Sequence, residues 1–342
     1  MATLAQRLKN IFRPFKRIRK EIEGLRNEVM YINAEKITRY AYNIMKDLDL
    51  VSKDKNLLPF YLKISDRINI CNNFKIMQRY LNAVRPVRVG NLVRVGGAND
   101  GGYVMINPKI DLLRSANMSE STHDSPPPEL NNQNSIDFSN PPFALSLGVS
   151  PYSPWDLDMA NFGYKVLQYD ASIAKAPYNH PNITFHKKFV GAKDGVDTIA
   201  FERIIAENHL SQNACNVLQC DIEDCEWEIL EQVDLGEMAK YFPQVLFEFH
   251  KCYLDNAEFA ERRLAILEKL KRYYTPIHTH FNCFGAVYYA NGYFWGAVVE
   301  VSYLRNDLVD KDAKLLCGAG NLYLDAPNAV GYPDIPVIFD DF

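Results

Sequence analysis

The chain has 342 residues and a formal net charge of −4, from 38 Lys and Arg against 42 Asp and Glu. This balance excludes the strongly basic class of nucleic-acid-binding proteins, and no nucleic-acid partner is expected. An apolar fraction of 47% is typical of a globular protein, and no apolar run reaches the roughly 20 residues of a membrane span. The seven cysteines form no CxxC pair, so we expect reduced, buried thiols, a cytoplasmic protein and no cysteine zinc site.

Residues 1–50 predict an N-terminal helical arm. Apolar residues from Ile11 to Ile32 follow a 4-3-4-3-4-3 spacing, which is typical of a coiled-coil seam. The arm could fold back on its own domain, or form a parallel dimer seam. It could also lie on a membrane surface, because basic residues flank Phe12 and Phe15. We favour a homo-oligomer through this arm over peripheral membrane contact.

An entry region, residues 51–114, contains the motif RVGGANDGGYVMI at 94–106. Paired glycines on both sides of an Asn-Asp dipeptide predict a tight turn or hairpin. Gly102 lacks Cβ, so backbone amides can approach a ligand closely, and Tyr103 follows it directly. Both are therefore candidate cofactor-binding residues. The glycine order is not G-x-G-x-x-G, so the motif is not a dinucleotide fingerprint.

The next segments differ in composition. Residues 115–142 contain three consecutive prolines and a long polar run, which predict a mobile polar insert. Residues 143–305 hold the strand-like runs and form the predicted catalytic core. Residues 306–342 form a predicted acidic C-terminal tail.

Five apolar runs in the middle of the chain predict buried strands separated or followed by helices. The runs are FALSLG (143–148), KVLQYD (165–170), ITFHKKFVG (183–191), NVLQCD (216–221) and QVLFEFH (244–250). Four of them supply the strand-end residues of interest: Gly148, Asp170, Asp221, and Glu248 with His250. Because the carboxyl ends of parallel strands meet at one rim of a sheet, these residues are predicted to converge on a nucleotide-type cofactor site.

The first of these strand ends predicts the cofactor. Gly148, Val149 and Ser150 form the loop, and Asp170 follows 22 residues after Gly148, a spacing that suits an acid bound to ribose hydroxyls. The loop is a poor phosphate-binding loop, so NAD fits badly. A nucleoside cofactor without a pyrophosphate fits better, and S-adenosylmethionine is that cofactor.

Helix signals follow two of the runs. Ser153 is the predicted N-cap of the helix after the first run, with Asp156 as its reciprocal capping acid. Glu223, Asp224 and Glu226 crowd the helix start after the fourth run, where the helix dipole explains part of their charge.

The strand ends also predict a catalytic group. Asp221, Glu248 and His250 could share a divalent metal, with Mg²⁺ or Mn²⁺ preferred by such ligands, or His250 could act as a general base. The segment PIHTHFNCF (276–284) predicts a sixth strand and FWGAVVEVSYL (294–304) a seventh. His280 and Asn282 on the sixth strand, together with Glu223, are candidate substrate contacts.

These motifs resemble the FkbM-like (methyltransferase 21) family of S-adenosylmethionine-dependent O-methyltransferases, most closely its branch from bacterial surface-polysaccharide loci. The resemblance covers roughly residues 88–304 and rests on DGGYVM (100–105), SLGV with WDLDMA (146–149, 155–160), DIEDCEWEIL (221–230), FEFH (247–250) and HTHFN (278–282). DIEDCEW is the most specific of these. The family usually has glycine and alanine where this chain has Asp224 and Cys225, which puts the shape of that loop in doubt.

The resemblance implies an α/β class I (Rossmann-like) methyltransferase, with six parallel strands, an antiparallel seventh and helices on both faces of the sheet. It also implies methyl transfer to a hydroxyl of a sugar or sugar nucleotide in capsule or surface-polysaccharide biosynthesis. Two alternatives stay open: a methyltransferase of a phosphate-containing small molecule, and a non-catalytic assembly protein of a glycan pathway. The four residues Asp170, Asp221, Glu248 and His250 argue against the second.

Overall fold

The computed structural model describes residues 68–108, 141–212, 214–320, 323–329 and 334–341. The predicted helical arm (1–50) and nearly all of the polar insert (115–142) lie outside the described residues. Their secondary structure and roles therefore stay predictions.

Strands and short helices alternate through the described part of the chain. The helices are α1 (Phe74–Val84), α2 (Pro154–Asn161), α3 (Phe201–Glu207), α4 (Cys225–Gln232), α5 (Leu235–Tyr241) and α6 (Ala257–Leu270). The strands are β1 (Ile68–Ile70), β2 (Leu92–Val95), β3 (Tyr103–Ile106), β4 (Phe143–Leu147), β5 (Lys165–Tyr169), β6 (Ile183–His186), β7 (Phe189–Gly191), β8 (Thr198–Ala200), β9 (Val217–Cys220), β10 (Gln244–Phe249), β11 (Tyr274–Phe281), β12 (Val287–Ala290), β13 (Tyr293–Gly296), β14 (Val299–Arg305), β15 (Gly318–Ala319) and β16 (Ile338–Phe339).

Seven strands form the central sheet, in the order β11-β14-β10-β9-β4-β5-β6. Strands β6, β5, β4, β9 and β10 pair in parallel, whereas β14 is antiparallel to both of its neighbours. The predicted mostly parallel α/β sheet of seven strands is therefore confirmed, and it is compatible with a Rossmann-like fold. The strand bounds are less regular than predicted. The run 183–191 divides at two lysines into β6 and β7, and β7 pairs with β8 outside the central sheet.

Neighbouring residues of β4 pack into two different hydrophobic clusters, because successive side chains along a strand point to opposite faces. Ala144 of β4 belongs to the smaller cluster, which also contains Trp155 and Met159 of α2 and Met105 of the hairpin β2–β3. Its neighbour Leu145 belongs to the larger cluster, which contains buried side chains of α1 and α3 to α6.

The strand order creates a switch point between β4 and β9. From β4 the chain continues outward to β5 and β6, and it then returns to β9 on the other side of β4. In open α/β sheets, ligands bind in the crevice at the carboxyl ends of strands where the order reverses in this way. The predicted polar strand ends lie at this edge.

The C-terminal segment packs onto the body of the protein. Strand β16 pairs with β15, and Ile335, Val337 and Phe339 are buried in the larger cluster. The buried Arg85 guanidinium donates to the Asp340 carbonyl and to the Asp341 carboxylate. The predicted acidic tail therefore includes a segment that is docked on the body of the protein, with Asp340 and Asp341 directly after its strand.

Two predictions drawn from composition concern thiols and membrane spans. All seven cysteines are free, but Cys225 and Cys317 are exposed, so the expectation of buried thiols is wrong for these two. Cys225 is exposed because it begins α4 on the outer side of the helix. None of the helices in the described residues is long and apolar enough to cross a membrane.

Candidate active site

Strand register places a row of ionisable side chains across four neighbouring strands. Glu248 of β10 lies opposite Glu300 of β14, and Glu300 lies opposite His280 of β11. On the other side, Cys220 pairs with Phe247, so the next residues, Asp221 and Glu248, are adjacent. Strand β14 runs antiparallel, which brings the beginning of β14 to the carboxyl edge of its neighbours. The row therefore lies along one edge of the sheet.

The His250 imidazole faces three carboxylates of this edge. Its Nε2 atom lies 3.7 Å from Oδ1 of Asp221, 3.6 Å from Oε1 of Glu248 and 3.4 Å from Oε2 of Glu223. Glu248 is buried, Asp221 is half-buried, and the Glu223 side chain is 86% exposed. The structure thus brings Asp221, Glu223, Glu248 and His250 together at the boundary between the core and solvent.

The backbone of His250 is held on both sides. Its N–H donates to Oε1 of Glu226 at 2.6 Å, and its carbonyl accepts from Nε1 of Trp227 at 2.8 Å and from Arg263 at 2.6 Å. Arg263 lies over the rings of Trp227 and Phe259. Three buried side chains, two of them from the DIEDCEW segment, therefore fix the position of the histidine.

Arg263 and Glu300 are site residues that the sequence reasoning missed. Each had a visible signal: Arg263 shares the apolar stripe of α6 with Ala260 and Leu267, and Glu300 is the single acid within the apolar strand β14. A charged residue within an apolar pattern is costly unless it has a partner, and both residues have one.

Electrostatics raise the proton affinity of the site. Burial raises the pKa of Glu248 well above its ordinary value, and the nearby Asp221 carboxylate raises it further. Burial also raises the pKa of Asp221, although His250 acts against this shift. Burial alone would lower the pKa of His250, but Glu226, Asp221 and Glu223 outweigh it, and the pKa of His250 is raised. The pKa values of Asp221, Glu248 and His250 are therefore all raised, and the negative charge of this edge favours the binding of protons or of another cation.

The hairpin β2–β3 contributes to the site from above the sheet. The Tyr103 hydroxyl lies 3.5 Å from Oδ2 of Asp221. Gly102 has a structural reason to be glycine, because a Cβ there would lie 2.1 Å from the Gly97 carbonyl oxygen. The amide of Asp100, at the turn, donates to the Asn328 carbonyl at 3.0 Å. The hairpin is thereby joined to the C-terminal segment.

The predicted substrate residues of β11 take different positions. Asn282 donates to Oε1 of Glu248 at 2.9 Å, so it belongs to the site. His280 is buried, with Nδ1 3.1 Å from Glu300 and Nε2 3.3 Å from Asp334. The His280 ring is therefore occupied by two acids and reaches the site through Glu300.

Gly148 and Asp170 lie at the ends of β4 and β5. Gly148 has φ +84°, and a Cβ would lie 1.6 Å from the Asp221 carbonyl oxygen, so glycine permits the close approach of these two strand ends. The Asp170 carboxylate accepts from the amides of Val149 at 2.9 Å and Ser172 at 2.6 Å. Each carboxylate oxygen keeps a lone pair that can accept a further hydrogen bond. Ser150, also in this loop, accepts from the Tyr152 amide.

The predicted helix cap at α2 is wrong in detail. Ser153 stands at the N-cap, but its hydroxyl accepts from the Ser150 amide instead of from the helix. The predicted reciprocal acid, Asp156, is buried, and its carboxyl group accepts from Gln168 at 2.5 Å. The side chain points inward because the polar Gln168 and Ser146 lie beneath it on the sheet.

Two groups among the described residues have ligand atoms close enough to hold a metal ion. One is Asp221, Glu248 and His250, and the other is Asp100, Glu248 and Glu300; in each, the ligand atoms lie within 4.8 Å of one another. Oxygen-rich ligation with one imidazole suits Mg²⁺ or Mn²⁺ better than zinc. The donor set of the first group therefore fits such an ion.

Comparison with known proteins gives a limited likeness. No family model matches the chain. The chain is 25% identical over 117 residues to the human protein named Probable methyltransferase-like protein 24, and to the same degree to the rat protein of that name. The matched segment covers 32% of this chain and 32% of the length of each relative.

Proposed function

We propose that this protein is an S-adenosylmethionine-dependent O-methyltransferase of class I, with helices on both faces of its sheet. The observation that carries the proposal is the convergence of Asp221, Glu248 and His250 at the switch-point edge that also holds Asp170. The methyltransferase-like names of the human and rat relatives support the same reaction class. In this proposal α2 covers one face, and α1 with α3 to α6 covers the other, in keeping with the two hydrophobic clusters.

The cofactor lies across the ends of β4 and β5. The Asp170 carboxylate accepts the ribose hydroxyls with its remaining lone pairs, while the loop of Gly148, Val149 and Ser150 lies against the methionine part. Gly102 and Tyr103 of the hairpin close the other side. The negative edge formed by Asp221 and its neighbours suits the positive sulfonium.

The reaction needs a positioned oxygen nucleophile that loses its proton. Methyl transfer is an in-line displacement, in which the acceptor oxygen bonds to the methyl carbon as the carbon–sulfur bond breaks. His250 accepts the hydroxyl proton, and Asp221 and Glu248 stabilise the resulting imidazolium. In the alternative in which Asp221, Glu248 and His250 hold Mg²⁺ or Mn²⁺, His250 is a ligand instead of the base, and the ion would supply Lewis-acid activation of the hydroxyl.

We further propose a sugar or sugar nucleotide as the acceptor, from the FkbM-like resemblance and its surface-polysaccharide branch. The carboxylates of the site can accept hydrogen bonds from several hydroxyls, and the Asn282 amide can accept or donate them. The exposed Glu223 carboxylate is a further candidate acceptor. The same carboxylates repel a phosphate placed beside them, which disfavours methylation of a phosphate-bearing atom. A cytoplasmic location and a homo-oligomer through residues 11–32 complete the proposal.

Calorimetric titration with S-adenosylmethionine tests the cofactor assignment. We expect binding by the full chain, and a loss of about 1–3 kcal/mol in Asp170→Ala if the carboxylate accepts ribose hydroxyls. Asp307→Ala is a matched control, because this acid is exposed near the end of β14, at the opposite edge of the sheet. Equal affinities of the Asp170→Ala protein and the unaltered chain would contradict the assignment.

Mass spectrometry of candidate sugar nucleotides then tests the reaction, since each product gains one CH₂ unit. We expect turnover to fall in chelator and to return with Mn²⁺ or Mg²⁺, and His250→Ala to lower kcat by about 100-fold. Full activity in excess chelator would show that no metal ion is needed, and His250 would then be the base. Full activity in His250→Ala as well would remove the proposed centre.

A further inference from the structure

A row of buried polar side chains crosses the sheet beneath the candidate site. Gln168 of β5 pairs in register with Ser146 of β4, which pairs with Gln219 of β9. All three are nearly inaccessible to solvent, as is Asp156 of α2, which packs over the row. Polar side chains at this depth are costly unless each has a hydrogen-bond partner.

Hydrogen bonds and one close electrostatic contact connect these side chains. Gln168 donates to Oδ2 of Asp156 at 2.5 Å, and the Ser146 hydroxyl is close enough to Asp156 to lower its pKa. Ser146 donates to Oε1 of Gln219 at 3.1 Å. Gln219 then donates from Nε2 to the Tyr103 hydroxyl at 3.1 Å. The chain therefore leads from α2 to the hairpin that overlies the site.

The last contact of the chain is with the site itself. Because the Tyr103 oxygen accepts from Gln219, its own hydrogen is free to point to Oδ2 of Asp221, 3.5 Å away. A rotated Gln219 amide would present Oε1 to Tyr103 and draw that hydrogen away from Asp221. The orientation of the Gln219 amide thus decides the direction of the Tyr103 hydroxyl.

Ser146 fixes that orientation only when Asp156 is neutral. The serine hydroxyl has one hydrogen, and both Oε1 of Gln219 and an ionised Asp156 would accept it. A protonated Asp156 instead donates to the Ser146 oxygen and leaves the serine hydrogen for Gln219. Among the described residues no salt bridge includes Asp156, and burial raises its pKa to about 6, although Gln168 and Ser146 act to lower it.

We propose that Asp156, Ser146 and Gln219 are positioning residues that hold the Tyr103 hydroxyl as a hydrogen-bond donor to Asp221. The catalytic consequence rests on the proposed function, because Asp221 matters to turnover only in a methyltransferase. The geometry of this series of hydrogen-bonded side chains does not depend on the proposed function.

Two substitutions at Asp156 separate positioning from packing. Asp156→Asn keeps a neutral group whose amide nitrogen can donate to Ser146 and whose oxygen can accept from Gln168. Asp156→Leu keeps the branching and the number of side-chain heavy atoms but removes both contacts. It leaves the buried Gln168 amide without this acceptor, at a cost that is less than the stability of an ordinary domain, so the leucine protein is expected to fold.

The first readout is independent of activity. In protein labelled with ¹³C at the tyrosine carbon that bears the hydroxyl, the Tyr103 signal is identified by its loss in Tyr103→Phe. At about pH 5, below the raised pKa of Asp156, this carboxyl group is mostly protonated. We expect the Tyr103 signal to move in Asp156→Leu and in Gln219→Leu, and to stay in place in Asp156→Asn. Tyr274→Phe is the matched control, because it removes a buried hydroxyl at the far end of β11, bonded to the Phe242 carbonyl.

The second readout is turnover. We expect Asp156→Leu and Gln219→Leu to lower kcat about tenfold, the equivalent of one lost hydrogen bond, with little change in KM for the cofactor. Asp156→Asn should retain most of the activity. An unmoved Tyr103 signal in Asp156→Leu would overturn the inference, and so would an Asp156→Asn protein as impaired as Asp156→Leu. Absence of turnover in the unaltered protein would instead contradict the proposed function, and the Tyr103 signal would still decide the inference.

Discussion

At the scale of single residues, two glycines with similar positive φ angles allow the cost of backbone strain to be separated from the cost of crowding. Gly148 has φ +84° and Gly163 has φ +96°, so alanine at either position adopts an unfavourable left-handed conformation. A Cβ at Gly148 would also meet the Asp221 carbonyl oxygen at 1.6 Å, whereas a Cβ at Gly163 would meet nothing within 4 Å.

We therefore predict that Gly163→Ala lowers the free energy of unfolding by about 1–2 kcal/mol, the cost of the conformation alone. Gly148→Ala should cost more than about 3 kcal/mol, because the ends of β4 and β9 must also separate. Urea unfolding of the two variants measures the difference. Equal losses in both would show that the close contact between the strand ends is relaxed in solution.

The charge of Glu226 is expected to set the proton affinity of His250. The carboxylate accepts the His250 amide at 2.6 Å and lies 3.4 Å from Nδ1, without the alignment of a hydrogen bond to that ring atom. Glu226 is the main group that raises the pKa of His250 against the effect of burial.

Glu226→Gln keeps an oxygen for the His250 amide but removes the negative charge. We expect the pKa of His250 to fall in this variant, because the imidazolium loses its main stabilising charge. Titration of the histidine ring protons by NMR measures the change. Glu223→Gln is the comparison, since Glu223 is largely exposed and should have a smaller effect; a larger shift in that variant would contradict the assignment.

At the scale of elements, most strands could be predicted from the sequence because buried parallel strands have short apolar runs. The position of β14 between β10 and β11 could not be predicted from the residues themselves, because only the family resemblance implied an antiparallel seventh strand. The inward turn of Asp156 was also missed, because it depends on Gln168 of another strand. The hydrogen bond from Arg263 to the His250 carbonyl was missed for the same reason, because the two residues come close only when α6 packs near the end of β10.

The docked C-terminal segment gives a prediction that depends on pH. His280 contacts Asp334, and His278 contacts Asp325 at 2.8 Å. Burial alone would lower the pKa of His280, but Glu300 and Asp334 outweigh it and raise the pKa well above the ordinary value. Burial would raise the pKa of Asp325, but His278 outweighs it and the pKa is lowered.

The signs follow from these directions. His280 stabilises the folded state fully at pH values below the ordinary histidine pKa. This stabilisation is lost as the pH rises through the raised pKa of His280 in the folded state. Asp325 stabilises the folded state at pH values above the ordinary aspartate pKa. This stabilisation is lost as the pH falls through the lowered pKa of Asp325 in the folded state. Amide exchange of residues 323–329 and 334–341, corrected for intrinsic rates, should therefore increase at alkaline pH. His280→Gln should remove much of that increase; an unchanged dependence would contradict the role of His280.

At the scale of the whole molecule, the assembly state is predicted to depend on the N-terminal arm, which lies outside the described residues. The heptad spacing from Ile11 to Ile32 predicts a dimer or a larger assembly. Deletion of residues 1–35 should therefore lower the number of chains per assembly, as obtained from the molar mass measured by light scattering. The same number of chains per assembly in both proteins would contradict the dimer seam and favour a helix that folds back or binds a membrane surface.

In the proposed function, the row of ionisable side chains would also link ligand binding to accurate folding. A shift of β14 by one residue against β10 would place Val299 or Val301 opposite Glu248 and would turn Glu300 to the other face of the sheet. Chains with that error would lack the row and would bind neither a cation nor a substrate that needs it. A ligand that binds only the native state stabilises it by mass action, so it would enrich correctly registered molecules during refolding. Binding of the ligand would in this way report whether β14 has the native register against β10.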